Sequence, residues 1–276
     1  MINRFLISVL ILSAAGLWGC SKEFRQYTSW SNKGSLAEKD SAAFFFLGRK
    51  DYEKAAYLFE ELLPAYRGSE RAKDILYHLA YCKYEFGTYQ VAAYRFEEYT
   101  TQYPNDVRTA ECTFMIGYCY YLESSPYYLD QAFTKQALER LQLFAYRYPD
   151  SDKIKKCNEL MSDLRERLAN KEMKQAELYF NMQNYKSAVT AYEVAIQEYP
   201  DSRYREQAQF MLFKSAYYLA GASTIARQQN RYLDALDYYK RYKDKYPTGL
   251  YEKEAEQLYA QARKALGKLQ ATAVQP

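Results

Sequence analysis

The chain has 276 residues, with 38 Lys and Arg against 34 Asp and Glu, for a formal net charge of +4. Both signs are interleaved along its length, which excludes a nucleic-acid stripe or a charged tail. Hydrophobic residues make up 49% of the chain, ample for a packed interior, but 32 residues are tyrosine. A tyrosine ring packs while its hydroxyl stays wet, so broad amphipathic surfaces are expected.

Residues 1–20, MINRFLISVLILSAAGLWGC, hold one basic residue (Arg4), an apolar run from Phe5 to Leu12, small residues and then Cys20. The run is too short for a membrane span and reads as a signal-peptide core. Leu17-Trp18-Gly19-Cys20 resembles a bacterial lipobox, although Trp18 is bulkier than usual at its position. Cleavage would remove 1–19 and leave Cys20 to carry the acyl chains, palmitate among them, that anchor firmly. Ser21, where an aspartate would favour the inner membrane, points by the same resemblance to the outer membrane. The alternative is an ordinary secretory leader with a chance cysteine. Residues 20–35 are polar and without a sustained period, so they read as a lipidated flexible tether. Phe24, Tyr27 and Trp30 recur every third residue, which leaves a docked segment as a second reading.

From Leu36 the sequence repeats. Ala55, Ala92, Ala137, Ala188 and Ala235 are each followed four residues on by Phe59, Phe96, Leu141, Tyr192 or Tyr239, and eleven on by a tyrosine. Small residues precede them at Ala43, Ala80, Gly117, Ala176 and Ala216, and small side chains at both places let two antiparallel helices approach closely. In repeats three and five the gap is longer, which predicts insertions in the inter-helix turn. Tyr103-Pro104, Tyr148-Pro149, Tyr199-Pro200 and Tyr246-Pro247 punctuate four units, because proline cannot continue a helix and pushes its predecessor out of α geometry. The first unit has Arg67-Gly68 there, and glycine stops a helix equally well. This is the tetratricopeptide pattern. It predicts an all-α, right-handed solenoid of five tetratricopeptide-like hairpins at about 36–68, 70–104, 108–150, 153–201 and 203–248. A final helix runs to 266, and 267–276 form a disordered tail. Residues 153–180 hold no Gly or Pro and read as one long helix or two run together.

Catalytic chemistry finds no foothold. The one histidine, His78, lies within a helix with no serine elbow or glycine-rich turn nearby, and reads as a packed or surface residue. No phosphate loop, dinucleotide fingerprint or Cys/His ligand spacing is present, so no catalytic residue, cofactor or metal is predicted. Cys82, Cys112, Cys119 and Cys157 allow three pairings, but stacked helices hold matching columns too far apart for most disulfides, so buried free thiols are expected.

In such a stack the first helix of each hairpin lines the concave surface. A regular stack places Tyr77, Tyr81, Tyr84, Phe114, Tyr118 and Tyr121 along one groove, suited to extended peptides with alternating aromatic residues. The other reading is that these rings pack one hairpin on the next.

Residues 164–189, LRERLANKEMKQAELYFNMQNYKSAV, followed by Glu198-Tyr199-Pro200-Asp201-Ser202, resemble the central part of the BamD (YfiO) family, the lipoproteins of the outer-membrane β-barrel assembly machinery. The insertion of repeat three with Asp130-Gln131, then Tyr148-Pro149-Asp150-Ser151, is similar to that family too. The resemblance implies a scaffold on the periplasmic face of the outer membrane. It would dock a BamA-like barrel protein through its later repeats and receive unfolded outer-membrane protein precursors through its earlier ones. A competing reading is a tetratricopeptide envelope lipoprotein that coordinates cell-wall or division machinery. Such coordinators usually lack a lipobox and carry fewer repeats.

Overall fold

Side chains satisfy the orphan backbone groups at two helix starts, at Ser35 and at Asn184. At the first start, Ser35 Oγ accepts the Glu38 amide at 3.3 Å while the Glu38 carboxylate accepts the Ser35 amide at 2.7 Å, a capping box. The computed structural model describes residues 24, 25, 27 and 34–273; the predicted leader 1–19, Cys20 and Trp30 lie outside them.

Eleven helices are described: α1 (Leu36–Gly48), α2 (Tyr52–Ala65), α3 (Glu70–Glu85), α4 (Tyr89–Gln102), α5 (Thr109–Glu123), α6 (Ala132–Arg147), α7 (Ile154–Asn181), α8 (Tyr185–Glu198), α9 (Arg205–Gly221), α10 (Ile225–Lys245) and α11 (Glu252–Ala273). No strand occurs among the described residues. The chain is all-α, and α1–α2, α3–α4, α7–α8 and α9–α10 pack as hairpins, with α5 and α6 as the helices of the third repeat. Each described packing is with a neighbour in sequence, apart from α9 with α11. That pattern of local contact is what a repeat array requires. Contacts gather the chain into two units, 1–119 and 120–276, with the division inside α5.

All ten small positions of the repeat are buried: Ala43, Ala80, Gly117, Ala176 and Ala216 on the first helices, Ala55, Ala92, Ala137, Ala188 and Ala235 on the second. Phe59, Phe96, Leu141 and Tyr192 are buried beside them, while Tyr239 is half-buried. The core of the first unit runs through Phe46, Leu58, Phe59, Leu62, Ile75 and Leu79. In the second unit, Met173, Tyr192 and Leu212 form one cluster and Phe210, Phe213, Tyr242 and Leu258 another.

The four tyrosines that precede proline share one geometry. Tyr103, Tyr148, Tyr199 and Tyr246 all cap helix C-termini with φ between −125° and −131° and ψ between 59° and 68°. The following proline forbids the α region at each, so each second helix ends in the same way. In the first hairpin, α2 carries Pro64 in its last turn and the chain leaves at Gly68, with φ +81°.

The turns within hairpins also recur. Lys50, Gly87 and Gln183, each five residues before the repeat alanine, take φ +59°, +86° and +59°. The next amide in each case, of Asp51, Thr88 or Asn184, bonds back to the carbonyl of Phe46, Lys83 or Tyr179 at 2.9 to 3.0 Å. These are Schellman closures, and they need one left-handed residue each.

Three expectations are corrected and one open choice is resolved. The insertion of repeat five is helical rather than looped: its residues, starting IARQQNRYLD, contain no Gly or Pro and extend α10 to 21 residues behind the extended N-cap Thr224. The last helix continues through Gly267 to Ala273, beyond the predicted tail boundary, because a lone glycine costs only about 1 kcal/mol in a run of good helix formers. It packs on α9 and α10 through Ala255, Leu258, Ala262 and Leu266. Residues 154–181 form one unbroken helix, which settles the choice left by the sequence. Phe24 and Tyr27 do not float in solvent as a tether would. Both pack on the core of the first hairpin, with Phe24 edge-on to Phe46 at 5.6 Å and to Tyr57 at 5.7 Å.

Candidate functional site: an aromatic surface on the first helices

Tyr77, Tyr81 and Tyr84 lie at i, i+4 and i+7 of α3 and so share one of its faces. Their rings form a run: Tyr77 and Tyr81 are 4.8 Å apart, Tyr81 and Tyr84 6.3 Å, and Tyr84 reaches Tyr118 of α5 at 6.1 Å. Phe114 stacks on Tyr118 at 5.8 Å. The four tyrosines are half-buried, whereas Phe114 is 7% exposed and supports Tyr118 from below rather than offering its own face. Tyr121 belongs to the second unit. There it donates to Asp163 at 3.0 Å, and the Arg167 guanidinium lies 4.8 Å from its ring.

Glu111 organises this surface. Its carboxylate accepts the Tyr77 hydroxyl at 3.0 Å and the Tyr81 hydroxyl at 2.7 Å, which ties α3 to α5. Burial, aided by the Glu111 charge, pushes the Tyr77 phenol up to about 12 and raises Tyr81 as well. Burial also pushes Tyr84 up to about 12, so all three stay neutral and remain hydrogen-bond donors. Beside them runs an ionic ladder. Asp40 pairs with Arg71 at 2.7 Å, Arg71 with Asp74 at 3.5 Å, Asp74 with Arg108 at 2.8 Å, and Arg108 with Asp106 at 3.1 Å. The guanidinium of Arg108 also covers Tyr77 at 5.0 Å and Tyr99 at 5.5 Å. The ladder holds three carboxylates and two guanidiniums in alternation, so each arginine is shared between two acidic neighbours.

His78 sits within this aromatic packing, 5.0 Å from Phe44 and 5.4 Å from Tyr77, and burial lowers its pKa. It is a packed residue. Cys82, Cys112, Cys119 and Cys157 are buried free thiols, and burial raises Cys82 to about 12 and Cys157 to about 11. Among the described residues no group of acidic, His and Cys side chains could hold a metal, and no helix is long and apolar enough to cross a membrane.

Two features escaped the candidate set. In the second unit Phe180, Tyr185 and Tyr218 form a cluster, with Tyr185 stacked on Tyr218 at 5.4 Å and Phe180 edge-on to both. Phe180 and Tyr217 occupy repeat columns already visible in the sequence; Tyr185 lies three residues before the repeat alanine, as Tyr52, Tyr89 and Tyr232 do, and Tyr218 shares the position of Cys82 and Cys119. The other is the turn between α5 and α6, which is held by a set of hydrogen bonds. The Gln131 amide, on a residue 4% exposed, donates to the carbonyls of Pro126 at 2.9 Å and Leu129 at 3.1 Å, and its oxygen accepts Thr134 at 2.8 Å. Lys171 holds the Leu129 carbonyl from outside at 2.6 Å. The turn therefore presents Tyr127, Tyr128 and Leu129 outward in a fixed shape.

Helical hairpins in series, each with an aromatic first helix, define a protein-interaction scaffold of the tetratricopeptide kind. The chain belongs to the YfiO family of outer membrane lipoproteins, whose family model matches residues 40–231. No curated protein matches it significantly. Among solved structures it is similar to the TPR2AB-domain:pHSP90 complex of yeast Sti1, at 16% identity over 83% of this chain and 98% of that one, with a TM-score of 0.38. It is also similar to the P58(IPK) TPR domain, at 12% identity over 87% and 67% with a TM-score of 0.40. A third is the yeast histone chaperone Hif1, at 12% over 85% and 94% with a TM-score of 0.28.

Proposed function

We propose that this protein is a non-catalytic scaffold of the outer-membrane β-barrel assembly machinery, anchored through acylated Cys20 and facing the periplasm. Its later hairpins dock the periplasmic part of a BamA-type barrel subunit. Its earlier hairpins receive unfolded outer-membrane protein precursors. The observation that carries this reading is the family match over residues 40–231, which spans the hairpins rather than the leader alone.

The aromatic surface supplies a mechanism for the second role. Half-buried tyrosines fixed by Glu111 offer ring faces at little entropy cost, and an extended segment with an aromatic at every second position can lay alternate rings against them. The ordered hydroxyls can then meet its backbone.

Two experiments test the proposal. Gentle extraction should recover a BamA-type barrel protein with this chain, and its absence would count against the assignment. A photo-crosslinker at Tyr84 or Tyr118 should label a precursor peptide carrying an aromatic-rich terminal strand. Labelling only from Tyr94, an exposed residue of the second helix α4, would sink the groove model.

A further inference from the structure

We infer that the first hairpin lies against the bilayer, with the turn between α1 and α2 as an anionic-lipid contact that fixes the orientation of the N-terminal unit. The inference rests on the lipid anchoring at Cys20 proposed above.

The first argument is reach. Phe24 comes four residues after Cys20, and four residues span at most about 14 Å when fully extended. Phe24 is docked, with its ring between Phe46 of α1 and Tyr57 of α2. An acylated Cys20 therefore cannot let the body roam. It holds the Phe24 side of this hairpin within about 14 Å of the lipid attachment, less than half the thickness of a bilayer core.

The second argument is the chemistry of that side, which is independent of the anchor. Phe45 is half exposed and Tyr57 is exposed at 42%. The Arg49 guanidinium lies 5.4 Å from the Phe45 ring, and the Lys54 ammonium lies 5.8 Å from Phe24 and 5.5 Å from Phe46. Lys50, next to Arg49 in the turn, and Arg25, next to Phe24 in the chain, are exposed. Residues 49–54 hold three basic side chains, Arg49, Lys50 and Lys54, against two acidic ones, Asp51, paired with Lys54 at 2.5 Å, and Glu53. Exposed rings interleaved with long cationic side chains suit the headgroup region. There, rings sit at the interface, Lys and Arg reach the phosphates, and anionic lipid adds attraction. A tetratricopeptide groove needs none of this on a hairpin turn.

The test uses the acylated full-length chain in vesicles containing phosphatidylglycerol. Gly48 is exposed and a side chain there meets nothing within 4 Å, so Gly48→Cys accepts an environment-sensitive fluorophore without disturbing the hairpin. The four native thiols of the body are buried and will not compete for the label. Lipid-borne nitroxide quenchers should quench the label at Gly48→Cys at least threefold more than one at Tyr94→Cys. Adding Arg49→Glu and Lys50→Glu, both on exposed residues, should remove most of that difference while the protein stays membrane-bound. Equal quenching at the two sites in membrane-bound protein would overturn the orientation and leave the anchor intact. Finding Cys20 without acyl chains, by mass spectrometry of the membrane-extracted protein, would overturn the anchor instead, and with it the reach argument.

Discussion

The three Schellman turns permit a reciprocal test, since one repeat position is glycine in one hairpin and carries a side chain in two others. A residue with a Cβ loses roughly 1–2 kcal/mol in the left-handed region, while glycine loses about 0.5–1 kcal/mol more than alanine in being ordered. The difference is about 0.5–1 kcal/mol in favour of glycine. At Gly87, φ +86°, an added Cβ meets nothing within 4 Å, so Gly87→Ala carries the backbone term with no clash. Gln183 and Lys50, both at φ +59°, are exposed, so replacing either with glycine removes the strain and little packing. Gly87→Ala should therefore destabilise, and Gln183→Gly stabilise, by about 0.5–1 kcal/mol, a two- to fivefold change in the unfolding equilibrium. Urea unfolding, with amide exchange of α3–α4 and α7–α8 to localise the effect, reads both. A neutral Gly87→Ala together with a destabilising Gln183→Gly would refute the assignment of strain to this position.

Three further outcomes follow from named contacts. Gln131→Ala removes three hydrogen bonds of 2.8 to 3.1 Å, worth about 1 kcal/mol each, so chymotryptic cleavage at Tyr127 or Tyr128 should accelerate by roughly 100-fold; a change under threefold would mean the turn is held by other contacts. Glu111→Gln should lower the Tyr77 phenol from about 12 part of the way toward 10, because burial is the larger cause and stays; absorbance at 295 nm across alkaline pH reads it, and an unmoved titration would contradict the clamp. Asp106 is held at about 2, below its ordinary 3.8, first by the Arg108 amide and then by the Tyr99 hydroxyl. A depressed acid stabilises the fold above its unfolded pKa and ceases to as pH falls from about 4 to 2. Asp106→Asn should thus be less stable than the parent at pH 6, with the gap closing near pH 2, and a pH-independent gap would disprove the linkage.

The period was legible because it is a packing rule. Two small residues and a ring must recur wherever two helices cross closely, and all ten small positions are buried. Insertion length was legible, but not what the insertion becomes. Ser124-Ser125-Pro126 breaks the helix in one repeat, while the second insertion has no breaker and winds onto α10. The same lack of a breaker carries α11 past Gly267. The candidate surface was half legible. Repeat columns bring Tyr77, Tyr81, Tyr84 and Tyr118 together, but a column does not separate a half-buried tyrosine from a buried Phe114. Nor could it name Glu111, which lies 34 and 30 residues from the two hydroxyls it binds. Tyr185 on α8 meets Tyr218 on α9, a contact between successive hairpins that the spacing within one repeat does not show.

The uniform tyrosine caps before proline have a bearing on how such a chain can change over time. Each hairpin has one end where it is joined to its successor and one end where its own two helices turn back. Four joints share the same backbone angles within a few degrees, so altering their length would redirect everything downstream. Both long insertions fall at the opposite end, where an added loop or two extra helical turns alter only the hairpin that carries them. New recognition can be acquired at the turn ends one hairpin at a time, without renegotiating the stacking of the rest.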